Sequence, residues 1–329
     1  MKNKTFSTGG NKMKNSTHET VINTTIPDSM KQYNQSCLVL LQDAQIQAHI
    51  VKAIVKELDD FSLSEVESII QGRMPWEKDP APLAKSMKTL DPQIRFRNGY
   101  IIYDIYYQIK YVKGASKTGI YINVEAMNNP YPGYPLTSRG VMYSSASIVE
   151  QYNVEYDANH YEEIKKIYVI WLILQAPDYM DGCINIYQMK EDHLAGDYKD
   201  KEENYDKQEI VSINIGKNHK LENKYEVYDE LLTPLFVLFT AKIKDSEEKL
   251  RILKDYGFVL TDTLKEEVKN MCDLATGVLE QGREQGGKNK EVEIIVNAYS
   301  NGFTLEQISS ILCKPVSFIQ DVIDQTSLI

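Results

Sequence analysis

The stretch "GIYINVEAMNN", Gly119 to Asn129, alternates Ile120, Ile122 and Val124 with Tyr121, Asn123 and Glu125. That period of two predicts a strand with one apolar face. Tyr100 to Val112, "YIIYDIYYQIKYV", predicts a second strand, and "KGASK" between them a turn, so the two form a hairpin. Upstream, Ile46, Ile50, Val51, Ile54, Val55 and Leu58 recur at helical spacing, which places Glu57 near the end of a helix. "SLSEVESII" follows with Ser62 and Glu65 spaced as a capping box. "GRMPWEKDPAPLAK" reads as a proline-containing loop and "SRGVMYSSASIVEQY" as a helix. "KKIYVIWLILQAP" is an unbroken apolar run of strand length, as expected for a strand buried on both faces. "GCINIYQM" and "QEIVSINIG" are further short strands, so strands and helices alternate and the fold class is α/β.

After residue 225 the pattern turns helical. A long helix through "NMCDLATGVLEQGREQGG" is expected to dissolve at Gly282, Gly286 and Gly287. Three short helices follow, with Thr304 and Gln307 as a second capping box and Pro315 opening the last one. This tail reads either as a helix–turn–helix or as a small packing and oligomerising module. The resulting division is a disordered arm over 1–36, a core over 37–225, a helical extension packing on the core over 226–290, and a helical tail over 291–329. The arm is polar and mildly basic (Lys2, Lys4, Lys12, Lys14, Lys31).

Net charge is −10, so the chain lacks the overall basic field typical of nucleic-acid binders. A nucleic-acid role needs a local basic patch, or a divalent cation that neutralises carboxylates. The four cysteines, Cys37, Cys183, Cys272 and Cys313, show no CxxC spacing. No run approaches 18 apolar residues and the N-terminus has no apolar h-region, so a soluble cytoplasmic protein with reduced thiols and no membrane partner is expected.

Candidate chemistry sits on the hairpin. Asp104 lies eleven residues before Ala115 and Glu125 ten after it, so an antiparallel register sets them opposite within one residue. A slip of one position would part them to opposite faces. Facing acids repel unless something neutralises them, and Mg²⁺ suits two carboxylates with phosphate oxygens and waters. The other reading is two solvated acids at a strand end.

The segments "YDIYYQI", "INVEAMNNPYPGYPLTSRGVMY", "IYVIWLIL", "KNMCDLATGVLEQGREQG" and "SNGFTLEQISSILCKPVSFIQ", which span most of residues 40 to 325, resemble the PD-(D/E)XK nuclease family transposases, a group related to the recombination-promoting nucleases. The resemblance implies a restriction-endonuclease-like core, a mixed central sheet flanked by helices, that cleaves DNA phosphodiesters with Mg²⁺, Mn²⁺ being able to substitute. It makes Asp104 the metal-binding aspartate and Glu125 the acid of the E-x-K or E-x-Q motif. Glu57 matches an acid that completes the metal site. Met127 departs from the pattern: the family has Lys or Gln there to orient the water, and methionine donates no hydrogen bond, which points to catalysis weakened or lost. Gln108 and Lys110 share the face of Asp104 but lie about 13 and 20 Å along the strand. Arg139, to hold a scissile phosphate, and Asn128 are the better-placed substitutes. DNA is the implied partner, a homodimer is left open, and the alternative function is a non-catalytic nuclease-fold protein that binds DNA or protein.

Overall fold

Ile167–Ala176 (β5) lies at the centre of a five-stranded sheet, and every residue from Ile167 to Leu174 is buried. It needs no polar face because helices cover both sides of the sheet. In this computed structural model, which describes residues 28–72, 93–96, 99–113 and 116–326, the elements run as follows. The chain opens with α1 (Asp28–Leu41), α2 (Ala44–Ile54) and α3 (Leu63–Ile70). Strands β1 (Gln93–Phe96), β2 (Gly99–Ile102), β3 (Ile105–Lys113) and β4 (Ser116–Met127) lead to α4 (Leu136–Glu150). Beyond β5 come β6 (Ile184–Gln188), α5 (Glu202–Tyr205) and β7 (Gln208–Gly216). Helices α6 (Asp229–Phe239), α7 (Ser246–Asp255), α8 (Asp262–Ser300), α9 (Leu305–Leu312) and α10 (Val316–Thr326) complete it.

Strand order is β3-β4-β5-β7-β6. β4, β5 and β7 are parallel, while β3 and β6 run antiparallel at the edges. The fold is therefore mixed α/β. α4 is the crossover that lets β4 and β5 lie parallel. One face of the sheet presents Ile105, Tyr107, Ile122, Val124, Tyr168, Ile170 and Leu172 to α1–α3 and α6–α8. The other presents Tyr106, Tyr121, Val169, Trp171 and Ile173 to Leu136, Tyr143 and Ala146 of α4. Gly140 lets α4 come close to the sheet: a Cβ there would stand 2.7 Å from Ile210 Cγ2 and 3.1 Å from Trp171 Nε1.

The predicted capping boxes at Ser62–Glu65 and Thr304–Gln307 both form. Three expectations are corrected. The arm expected to residue 36 gives way to helix at Asp28; residues 1–27 lie outside the described residues, as do most of the proline-containing loop and the centre of the hairpin turn. The strand read from Tyr100 to Val112 breaks at Tyr103 and Asp104, between β2, which pairs with β1, and β3. Helices within 226–290 pack on the sheet: Leu235, Leu253, Val268 and Met271 share the cluster with β3 and β4. And α8 does not dissolve at its glycines but runs 39 residues through Gly282, Gly286 and Gly287. Its end joins α9 and α10 in a separate small cluster of Ile295, Ile308, Ile319, Val322 and Ile323.

Candidate functional site

The β3–β4 register begins at Ile105↔Val124, so the next step outward sets Asp104 against Glu125. The break before β3 takes Asp104 out of the ladder and frees its backbone for side-chain partners. Its N–H donates to Glu125 Oε1 at 3.1 Å, and Ala126 N–H donates to Asp104 Oδ2 at 3.2 Å. Each strand thus holds the other's carboxylate.

Glu125 is only 2% exposed. Burial, then the charge of Asp104, pushes its carboxyl up to about 8, against the pull of the Asp104 N–H, Asn123 and Arg139. Burial also raises Asp104, opposed by the Ala126 N–H and Arg139. The pair resists holding two negative charges, and an added cation would relieve it. Two hard carboxylates fit Mg²⁺, which commonly takes one or two from protein and the rest from water and phosphate.

Arg139, in the first turn of α4, is within electrostatic reach of both acids. Its Nε donates to Tyr143 Oη at 2.9 Å and Nη1 to Tyr134 Oη at 3.1 Å, with Nη2 also on Tyr143 Oη. The guanidinium lies 4.8 Å from the Tyr143 ring centre and 5.3 Å from that of Trp171. It is held by neutral hydroxyls and rings, and among the described residues it makes no ion pair with a carboxylate. Tyr143 O in turn accepts from Tyr103 Oη at 2.9 Å, tying α4 to the residue beside Asp104.

A cleft of about 290 Å³ is lined by Cys37, Leu38, Asp104, Ala126, Met127, Asn128 and Leu174. Met127 and Asn128 therefore stand with Asp104, and Met127 packs against the cluster under α4. Among the described residues three larger clefts, of about 900, 920 and 640 Å³, lie elsewhere, so size alone does not locate the acids.

Glu57 does not join this site. It sits in a 3₁₀ turn, Lys56–Leu58, and its Oε2 accepts from Tyr168 Oη at 2.6 Å. Tyr168 points to the α1–α3 face, opposite to Glu125's. The reason is Lys166, 7% exposed at the start of β5, which gathers Glu57 (3.5 Å), Asp206 (2.6 Å) and Glu209 (2.7 Å). A nearly buried ammonium needs counter-charges, and Glu57 is one of them. Among the described residues no group of three or more His, Cys, Asp or Glu is placed to hold a metal ion, so among them Asp104 and Glu125 are the acids an ion at the hairpin would meet.

Sequence reading passed over Asn123, which lies on Glu125's face of β4 and is fully buried. The signal was its place two residues before the glutamate, on a face that the alternation presents as polar. Compared with known proteins, the chain matches no family model, no curated protein and no solved structure.

Proposed function

We propose that this chain is a divalent-metal-dependent DNA endonuclease of the transposase or recombination-promoting type, on a restriction-endonuclease-like version of the mixed α/β fold. The observation that carries the reading is the facing, reciprocally bonded Asp104–Glu125 pair at the end of β4. Asp104 and Glu125 would hold Mg²⁺ or Mn²⁺, which when bound lowers the pKa of a water and offsets phosphate charge. Arg139, oriented by Tyr134 and Tyr143, offers a positive charge to a backbone phosphate. Asn128 lines the same cleft and offers an amide. Met127 supplies no hydrogen bond at the position where the family pattern has Lys or Gln, so slow catalysis is part of the reading. A cytoplasmic setting fits four cysteines that form no disulfide with one another.

A second reading, a nuclease fold that binds DNA or protein without cutting, is favoured by the packing of Met127 against the cluster under α4. Supercoiled plasmid incubated with Mg²⁺ or Mn²⁺ separates the two. Nicking that disappears in both Asp104→Asn and Glu125→Gln supports the enzyme. DNA binding without nicking, unchanged by either substitution, supports the binding module.

A further inference from the structure

β4, β5 and β7 run parallel, so their carboxyl ends share one edge of the sheet, the edge outside which α/β folds bind ligands. β4 leaves that edge through the loop 128–135, "NNPYPGYP". Pro130, Pro132 and Pro135 fix φ along the loop. Asn129 fastens it further: its Oδ1 accepts from the Tyr131 N–H at 2.9 Å and its Nδ2 donates to Tyr131 O at 3.1 Å. This stiffened chain holds Tyr131 out at 60% exposure and leaves Tyr134 exposed as well. At the end of β5, the 3₁₀ turn Asp178–Met180 brings up Tyr179, 73% exposed, with its hydroxyl 3.4 Å from that of Tyr131. Exposed rings scattered singly need no explanation, but here two loops bring theirs together.

Cations flank the rings. Arg139 Nη1 donates to Tyr134 Oη at 3.1 Å. On the other side the exposed Lys217 donates its N–H to Ala176 O at the end of β5. Asn218, the next residue, donates to Asp178 Oδ1 at 2.8 Å and so ties the loop after β7 to the turn that carries Tyr179. The acids are near: Asn128 lines the cleft of Asp104, and Tyr131 follows it by three residues, about 11 Å of chain at most. Flat rings beside positive charge suit a ligand with flat faces and an anionic backbone. Duplex DNA closes its base faces by stacking, so only unpaired bases offer them. We infer that this rim binds single-stranded or locally unpaired DNA, with bases stacked on Tyr131 and Tyr179 and the backbone led past Arg139 to the acid pair. The inference rests on the proposed nuclease reading for its consequence, but the stacking is tested without cutting.

The test uses the full chain without metal, so that binding is read apart from cutting. Fluorescence anisotropy follows a labelled oligodeoxythymidine of about 12 nucleotides, alone and in duplex with oligodeoxyadenosine. The single strand is expected to bind about tenfold tighter or better. Tyr131→Ala and Tyr179→Ala are each expected to weaken its binding by about 5–150-fold. Tyr131→Phe and Tyr179→Phe keep the rings and should bind like the parent. All four should melt at the parent temperature, because both side chains are exposed. Equal affinity for the two DNA forms overturns the proposal, as do alanine variants that bind like the parent. Phenylalanine variants that lose as much as the alanine ones also overturn it, since the hydroxyls and not the rings would then carry the effect. Binding of neither form leaves the rim to a protein partner, and the proposal falls. Tyrosine-dependent single-strand binding in a chain that never nicks with Mg²⁺ defeats the nuclease reading alone. Nicking with no tyrosine-dependent binding defeats this inference alone.

Discussion

Asp104 donates its backbone N–H to Glu125 Oε1 at 3.1 Å, while its own Oδ2 accepts from the residue after Glu125 at 3.2 Å. The two acids are thus fastened to each other's strands. Their charges conflict and their backbones cooperate, an arrangement suited to a site that waits for a cation. Single neutral replacements should separate these two effects. Asp104→Asn keeps the shape and removes the repulsion, so it should raise the melting temperature at pH 8 while abolishing the stabilisation by Mn²⁺ that a native-state ligand gives. Parallel melting curves for parent and variant with and without Mn²⁺ check this, and an unchanged metal shift would remove Asp104 from the site.

The pH dependence of stability follows from two opposed shifts. Glu125, up at about 8 from 4.5, keeps a proton in the folded state that the unfolded chain has released, so stability falls as pH rises through that window. His49, stacked on Phe258 at 4.3 Å and brought down to about 4 from 6.5 by burial, stays neutral where the unfolded chain would take a proton. Its contribution is lost as pH falls from 6.5 toward 4. Above pH 6.5 only the glutamate of the two acts. The melting temperature should therefore drop between pH 6.5 and 8.5, and drop less in Asp104→Asn. A flat profile in the parent would contradict the protonated acid pair.

Met127 is half-buried beside Asp104 in an open cleft, so a longer polar side chain has room to reach solvent. Met127→Lys or Met127→Gln should increase Mg²⁺-dependent nicking, by about 10²-fold if the new group positions the water. Nicking rate and melting temperature are measured together. A well-folded Met127→Lys chain with no gain would leave Arg139 as the substitute or favour the non-catalytic reading.

Lys166 has three carboxylates within 3.5 Å and little solvent. Lys166→Met leaves them to repel one another with only the exposed Lys56, 3.9 Å from Glu209, as counter-ion, and should cost about 3 kcal/mol. Urea denaturation reads the loss. Replacing Glu209 by Gln in the same chain should recover part of it, because Glu209, 0% exposed, is the most deeply buried of the three. Equal stability of parent and Lys166→Met would show that the cluster is solvated.

Much of this fold was legible because local pattern and tertiary fate agree. The run Ile167–Ala176 has no polar face and is buried on both. The spacing of Asp104 and Glu125 about the turn predicted their meeting. What misled had physical causes. "YIIYDIYY" has neither Gly nor Pro, and its one turn-compatible residue, Asp104, sits inside an unbroken strand pattern, so the break there and the pairing of β1 with β2 are not revealed by the periodicity. Glu57 sits near the end of its helical pattern as expected, but a one-dimensional reading cannot say which side of the sheet it will face. Asn123 shares its alternation with tyrosines and a glutamate, and that pattern does not show that its face is buried. The tyrosine rings form the floor under α4 instead. Glycines in α8 each cost about 1 kcal/mol relative to alanine. Three of them within six residues predict a stop, yet a helix anchored by packing at both ends carries them.

Because the tail's cluster of Ile295, Ile308 and Ile319 is distinct from the main core, a chain ending at Gln285 should still melt cooperatively. Circular dichroism checks this, and aggregation or a broad transition would show that α9 and α10 complete the core.

The 39 residues of α8 have a geometric consequence of their own. At 1.5 Å per residue the helix spans about 58 Å, and at 100° per residue its length also sets a bearing. Inserting two residues in its middle would advance the tail by only about 3 Å yet swing it by about 200° around the axis. Whatever α9 and α10 touch is therefore fixed in azimuth relative to the sheet far more sharply than in distance.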